Sequence, residues 1–306
     1  MIVTVTLNPT LRVEYDAERV VPGAVNRVRR VGYRTGGRGL AVARYLHTFG
    51  HEVVAAGLVG GATGELIRAE LARAGIATQF TRIAAESRRL VDIADSAAGL
   101  STGFAEPSPY ITTEELGRLA ADYLDLLAGA TAVVLCGSLP DGMPEEIYGS
   151  FVSYAAGAGV PAVLEAGGNA LLRAADRGPA LVIPDRREGD VSELKVGPDT
   201  PVVVMTGSGV TALTSDGQWR AQWQAQRQAQ RQAEPGPVSL DGDAVRDALV
   251  AGFVPGIALG WSWPDMLRHA VALASSVLPS GEADLGAYEE TLPEVAVTGP
   301  AGSPAG

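Results

Sequence analysis

The segment PVSLDGDAVRDALVAGFVPGIALG (237–260) has helical spacing from Ala244 onward, and two aspartates, Asp243 and Asp247, stand one turn apart at its start. A carboxylate beside the positive end of a helix can accept a proton from a substrate hydroxyl. The same residues also fit a plain capping Asp followed by a surface Asp, because Asp241 or Asp243 is a suitable N-cap. A second stretch with chemical potential is RTGGRGLAVARYLHTFG (34–50), in which Gly36, Gly37 and Gly39 open a helix. Backbone N–H groups at such a start are left to meet an anion or a sugar hydroxyl. GLVGGATGELIRAELARAG (57–75) repeats the theme with Gly60, Gly61 and Gly64, yet lacks the Gly-x-Gly-x-x-Gly spacing of a dinucleotide site.

Charge gathers in the same place. Residues 1–50 carry eight arginines (Arg12, Arg19, Arg27, Arg29, Arg30, Arg34, Arg38 and Arg44) against Glu14, Asp16 and Glu18. The whole chain of 306 residues has 24 bases and 35 acids, a net charge of −11. That balance argues against nucleic acid, whose binders need a basic surface. A basic island on an acidic protein suits an anionic small ligand held by forked guanidinium donors. A solvated, arginine-rich strand face would give the same count.

Other chemistries are excluded by residue type. Lys195 is the only lysine and lies in ELKV, so no P-loop is present. Cys136 is the only cysteine, which leaves no intrachain disulfide and no cysteine-based zinc site, and its apolar surroundings mark it as a packing residue. His47 and His51 are four apart, but Gly50 intervenes and no third ligand is near, so they are expected on the surface. No apolar run is long enough to span a membrane. MIVTVTLNP lacks the basic head and apolar run of a secretion signal, and the expected compartment is a reducing cytosol.

The elements that must position these residues alternate in type. TAVVLCG (131–137), VPAVLEAG (160–167), ALVIPD (180–185) and TPVVVMTG (200–207) read as buried strands, with helices expected at 145–159 and 168–176. That order predicts an α/β core with a doubly wound, mostly parallel sheet. NRVRRVGYRT (26–35) and RRLVDIAD (88–95) alternate polar with apolar instead, as strands of a small outlying sheet do. Residues 221–232 read AQWQAQRQAQRQ and are expected to form a mobile loop, and the tail over 299–306 is expected to be disordered.

NPTLRVEY (8–15), GGRGLAVAR (36–44), GLVGGATGELIRAEL (57–71), CGSLPDGMPEEIY (136–148), DRRE (185–188), DALVAGF (247–253) and LPEVAV (292–297) occur in the order seen in PfkB-type sugar kinases. The chain most resembles the branch holding 1-phosphofructokinase and tagatose-6-phosphate kinase. The resemblance implies one ribokinase-like α/β domain over 1–298, with a β-lid built from segments near 11–35 and 88–105 that covers the sugar and often forms a homodimer contact. It further implies ATP-dependent phosphorylation of a sugar-phosphate hydroxyl, with ATP and magnesium. The alternative is a catalytically inactive relative that binds an anionic metabolite for regulation or partnership.

Carried over residue by residue, the resemblance puts the base at Asp247, preceded by Ala244, Val245 and Arg246 where the family has Gly-Ala-Gly. Val245 and Arg246 are expected to crowd that phosphate cradle. Anchoring on Pro237-Val238 instead makes Gly242-Asp243 the Gly-Asp pair. At the sugar end, Gly36, Gly37 and Ser138 fall on family positions, Arg38 replaces Lys, and Arg88 remains the lid arginine. Arg12 stands for an Asp, Ala41 for an Asn, and Arg89-Leu90 for Thr-Asn. At the nucleotide end, Asp185 replaces Asn, Glu188 is kept as the magnesium-linked carboxylate, and Val204 to Gly209 retain only Gly209, beside Thr206, of the Ser-x-Gly-x-x-Gly pattern.

Overall fold

Short apolar runs build the central sheet of the computed structural model, which describes residues 1–185, 193–206, 209–222, 244–278 and 280–300. β1 (Ile2–Thr6), β8 (Ala132–Cys136), β9 (Ala162–Ala166) and β10 (Leu181–Pro184) are buried at every position. Strands covered on both faces need no alternation, which explains their continuous apolar character. β4 (Val53–Gly60), β5 (Ala77–Ile83) and β11 (Val202–Thr206) complete a parallel set. β12 (Gly209–Thr214), β13 (Gly217–Gln222) and β14 (Val297–Thr298) add an antiparallel edge. The order is β14-β13-β12-β11-β10-β9-β8-β1-β4-β5.

Helices cover both faces. α1 (Arg38–Thr48), α2 (Gly61–Arg73), α6 (Ala244–Leu259) and α7 (Trp263–Ser275) share one core. α3 (Thr113–Leu127), α4 (Ile147–Gly157) and α5 (Gly168–Ala174) share the other. α3 starts at a Thr-x-x-Glu capping box, with Thr112 and Glu115 each bonding the other's backbone N–H. α6 is buried at every residue from Asp247 to Gly256, so it is apolar all round rather than amphipathic. Gly252 permits its close approach to α7: a Cβ there would lie 2.4 Å from the Cα of Ala270. Among the described residues no helix is long and apolar enough to cross a membrane.

The second sheet stands apart in the order β3-β2-β6-β7, from β2 (Thr10–Ala17), β3 (Arg30–Gly36), β6 (Arg88–Asp95) and β7 (Leu100–Ala105). β2 pairs antiparallel with β3 and parallel with β6. Its register aligns three rows: Gly36, Thr10 and Arg88; Arg34, Arg12 and Leu90; Gly32, Glu14 and Asp92. Side chains alternate faces along a strand, so all three rows share one face. The strand expected at 26–35 begins only at Arg30, because Asn26 is used to close a turn through hydrogen bonds with Val21 and Ala24. Of the 221–232 repeat, Ala221 and Gln222 end β13, whose ladder to β12 claims them; residues 223–232 lie outside the described residues. Gly299 and Pro300 lie against Trp219 and Gly217, and the rest of the tail is outside the described residues.

A buried imidazole sets an acid limit on stability. His269 on α7 has Nδ1 2.6 Å from the hydroxyl of Tyr288, on α8 (Leu285–Thr291), and meets Phe49 and Trp261 edge-on. Burial, helped by nearby His51, pushes its pKa down to about 4. A folded-state pKa below that of a free imidazole means protonation favours unfolding, so this stabilisation is complete above about pH 6.5 and disappears as pH falls toward 4. The expected loss is about 3 kcal/mol from this group. Urea unfolding between pH 7 and 4 should show it, with His269→Gln giving a flatter profile; an equally steep profile in the variant would refute the assignment.

Candidate active site

The carboxyl ends of β1, β8 and β10, the N-terminal turns of α1 and α6, and the Arg88 and Arg12 rows of the small sheet enclose a cavity of about 450 Å³. Its floor includes Thr6, Gly137 and Asp185. β1 is flanked by β4 on one side and β8 on the other, so the chain reverses its winding here, and such switch points are where open α/β sheets hold ligands.

The glycine turn sets one wall. Gly37 has φ of 117°, a region L side chains rarely adopt, and a Cβ there would come 2.8 Å from Cγ2 of Thr6. Glycine therefore lets β3 turn tightly over β1 into α1, whose first residue is Arg38. Gly36, Gly37, Arg38 and Ala41 all line the cavity.

Behind this wall lies a buried ion cluster. Arg38 donates to Glu165 Oε1 at 2.6 Å and to Asp185, and its Nη1 is 3.9 Å from Oδ1 of Asp247. Arg246 donates through Nε to the same Glu165 oxygen at 2.7 Å, also donates to the carbonyl of Pro184, and lies 3.9 Å from Asp185. Two guanidinium groups thus face three carboxylates, with all five side chains at most 11% exposed. Burial raises the pKa of Glu165, with Arg38 and Arg246 pulling the other way and Asp185 adding to the rise. Oε2 of Glu165 is buried with no hydrogen-bond partner. The cluster sets two buried cations among three acids at the place where α6 begins.

Of the residues singled out in the sequence, the structure brings Arg12, Gly36, Gly37, Arg38, Ala41, Arg88, Ser138, Asp185, Ala244 and Asp247 to one cavity. Val245 and Arg246 depart from expectation. Neither lines the cavity, because Val245 packs on the apolar core and Arg246 is drawn onto Glu165. Thr206 and Gly209 lie at the β11–β12 turn, Thr206 donating to the Gly209 carbonyl, away from the cavity wall. Glu188, Gly242 and Asp243 lie outside the described residues. His47 and His51 do not line the cavity, and burial pushes the Cys136 thiol well up.

Glu165 was missed by the sequence reading, although a single acid inside the apolar strand AVLEA was the available signal. Arg34 and Arg44, visible there only as part of the basic island, also line the cavity. Arg44 is held by Glu70, and Arg12 by Asp92, 3.3 Å from its Nε. Arg88 has no acidic partner among the described residues, and its buried Nε has no hydrogen-bond partner. Burial lowers its pKa. A desolvated cation facing a cavity is a strong receiver for an anion.

The fold is thus a doubly wound α/β sheet with an arginine-lined, glycine-turned cavity at its switch point. Residues 10–289 match the pfkB family carbohydrate kinases, and the chain belongs to that family. It is similar to a Thermotoga maritima protein described as a possible 1-phosphofructokinase, with 26% identity, TM-score 0.79, and 97% of this chain and 99% of that chain covered. Phosphofructokinase-2 from Escherichia coli shares the fold at 22% identity and TM-score 0.80, with 96% and 98% covered. Another structure of that enzyme contains fructose-6-phosphate, at 23% identity, TM-score 0.78 and the same coverage.

Proposed function

We propose that this chain transfers the terminal phosphoryl group of ATP to a hydroxyl of a sugar phosphate bound in the cavity. The observation that carries the reading is the Asp247 carboxylate, which is buried in the first turn of α6 and still lines the cavity. Arg88 receives the anionic end of the acceptor. Asp247 takes the proton of the acceptor hydroxyl as its oxygen attacks the terminal phosphorus, and the bond to ADP breaks. Asp185, Thr206 and Gly209 mark the side from which the nucleotide approaches. Asp185 has the right chemistry for magnesium, but in this structure it is paired with Arg38 and lies 3.9 Å from Arg246, so it would have to exchange a guanidinium for the ion.

The test is release of ADP from ATP and magnesium with a panel of hexose phosphates, wild type against Asp247→Asn and Asp243→Ala. Turnover with a phosphorylated sugar as product supports transfer; no turnover above the variants overturns it.

A second reading is favoured by the ion cluster itself. Arg246 stands at the third position of the phosphate cradle and is committed to Glu165 and the Pro184 carbonyl, a geometry suited to a protein that binds the anionic metabolite without transfer. Calorimetric binding of a sugar phosphate with no product would support this reading over the first. In either case the edge strands β3 and β7 expose Val31, Tyr33, Leu100 and Phe104, which we read as a contact for a second copy of the chain. Light scattering should give a dimer mass, and Tyr33→Asp with Phe104→Asp a monomer; a wild-type monomer at micromolar concentration would refute it.

A further inference from the structure

We propose that Arg38 holds the place of a divalent cation in the protein alone, so that an ion reaches this site only on the phosphates of a ligand. The inference goes beyond both readings of the cavity and depends on neither. Three carboxylates converge behind the glycine turn, from Glu165 on β9, Asp185 just past β10 and Asp247 in the first turn of α6. Convergent carboxylate oxygens are what a hard divalent ion seeks. The Arg38 guanidinium already stands among them. It donates to Glu165 Oε1 at 2.6 Å and to Asp185, and its Nη1 is 3.9 Å from Asp247 Oδ1. An ion bound to Asp185 with Arg38 still in place would set two positive centres within a few ångströms of each other, at high electrostatic cost.

The surroundings favour the guanidinium over a bare ion. A side chain at Gly137 would begin 3.8 Å from Cδ of Arg38, so the arginine stem lies over that glycine and leads the head inward. Arg246 donates to the same Glu165 oxygen at 2.7 Å and to the Pro184 carbonyl, which holds Glu165 in the cluster. Oε2 of Glu165 is buried with no hydrogen-bond partner, so the cluster keeps acceptor capacity that Arg38 does not fill. The cavity wall adds a further barrier. Arg12, Arg34, Arg44 and Arg88 line it, against Asp185 and Asp247 as its acids among the described residues. A free divalent ion therefore meets more lining cations than lining acids, whereas an ion neutralised by phosphate oxygens arrives as part of an anion.

Manganese, an oxygen-seeking ion counted by electron paramagnetic resonance, is the probe, titrated without nucleotide or sugar. Wild type should bind it no more tightly than about 1 mM. Arg38→Gln should bind it at least about tenfold more tightly, and adding Asp185→Asn should abolish that gain. Arg38→Lys keeps one positive charge and should stay within about threefold of wild type. Removing Arg38 leaves buried acids short of a cation, so manganese should raise the melting temperature of Arg38→Gln and leave that of wild type unchanged. Micromolar binding by wild type that Asp185→Asn removes would overturn the proposal. So would a gain in Arg38→Gln that survives Asp185→Asn, or one equalled by Arg38→Lys. An Arg38→Gln protein that neither binds manganese more tightly nor is stabilised by it, including one that stays unfolded in its presence, overturns it as well.

Discussion

Asp247→Asn is expected to lower kcat for sugar-phosphate phosphorylation by about 10² to 10⁴-fold, the usual contribution of a positioned general base. Asn keeps the size of the side chain but cannot take the hydroxyl's proton. On the proposed reading the acceptor's anionic end is held elsewhere, at Arg88, so its KM should change much less than kcat. Steady-state kinetics with the best acceptor from the panel separates the two parameters. A variant that retains wild-type kcat, or one that loses only affinity, would remove Asp247 from the base role. Loss of turnover in Asp243→Ala with Asp247→Asn still active would move that role to Asp243.

The largest structural effect belongs to Arg246. Its guanidinium is 11% exposed, and it shares Glu165 Oε1 with Arg38 while also donating to the Pro184 carbonyl. Arg246→Ala leaves Glu165 and Asp185 buried with Arg38 as their remaining cation among these contacts, which should cost about 3 to 5 kcal/mol in urea unfolding. The same principle predicts a rescue. A double variant, Arg246→Met with Glu165→Leu, replaces one cation and its buried acid by apolar groups of similar size, and should recover most of the loss. If Arg246→Ala costs less than about 1 kcal/mol, the cluster does not depend on Arg246.

Much of the scaffold was legible in the chain because it rests on local rules. Four apolar runs became β8, β9, β10 and β11 within a residue or two of their expected ends, and RRLVDIAD became β6 at 88–95. Strands covered on both faces have no choice of face to resolve, and a period-two pattern resolves the choice for half-covered ones. Gly36-Gly37 announced a tight turn into a helix, and a φ of 117° at Gly37 explains the need for glycine. The fates of Val245 and Arg246 were not legible. Residue type alone suggested that they would crowd the cavity, whereas the tertiary structure gives Val245 an apolar core to join and Arg246 a buried acid to meet.

By itself, the sequence determined the α/β class, the small sheet and the concentration of arginine near one glycine turn, since each follows from residue types at short spacing, while the family came from the resemblance of ordered motifs along the chain. Only the tertiary structure decided which arginines line the cavity and which are drawn into buried ion pairs. Arg38, Arg246 and Glu165 come from α1, α6 and β9, and their meeting depends on three elements remote in the chain. Arg12, Arg34 and Arg88 share a face through the register of three strands, two of them separated by more than fifty residues. Ion pairing and burial act through space at a few ångströms, while sequence patterns report only neighbours along the chain, so the division between cavity-lining and buried, paired cations becomes visible only once the strands are paired.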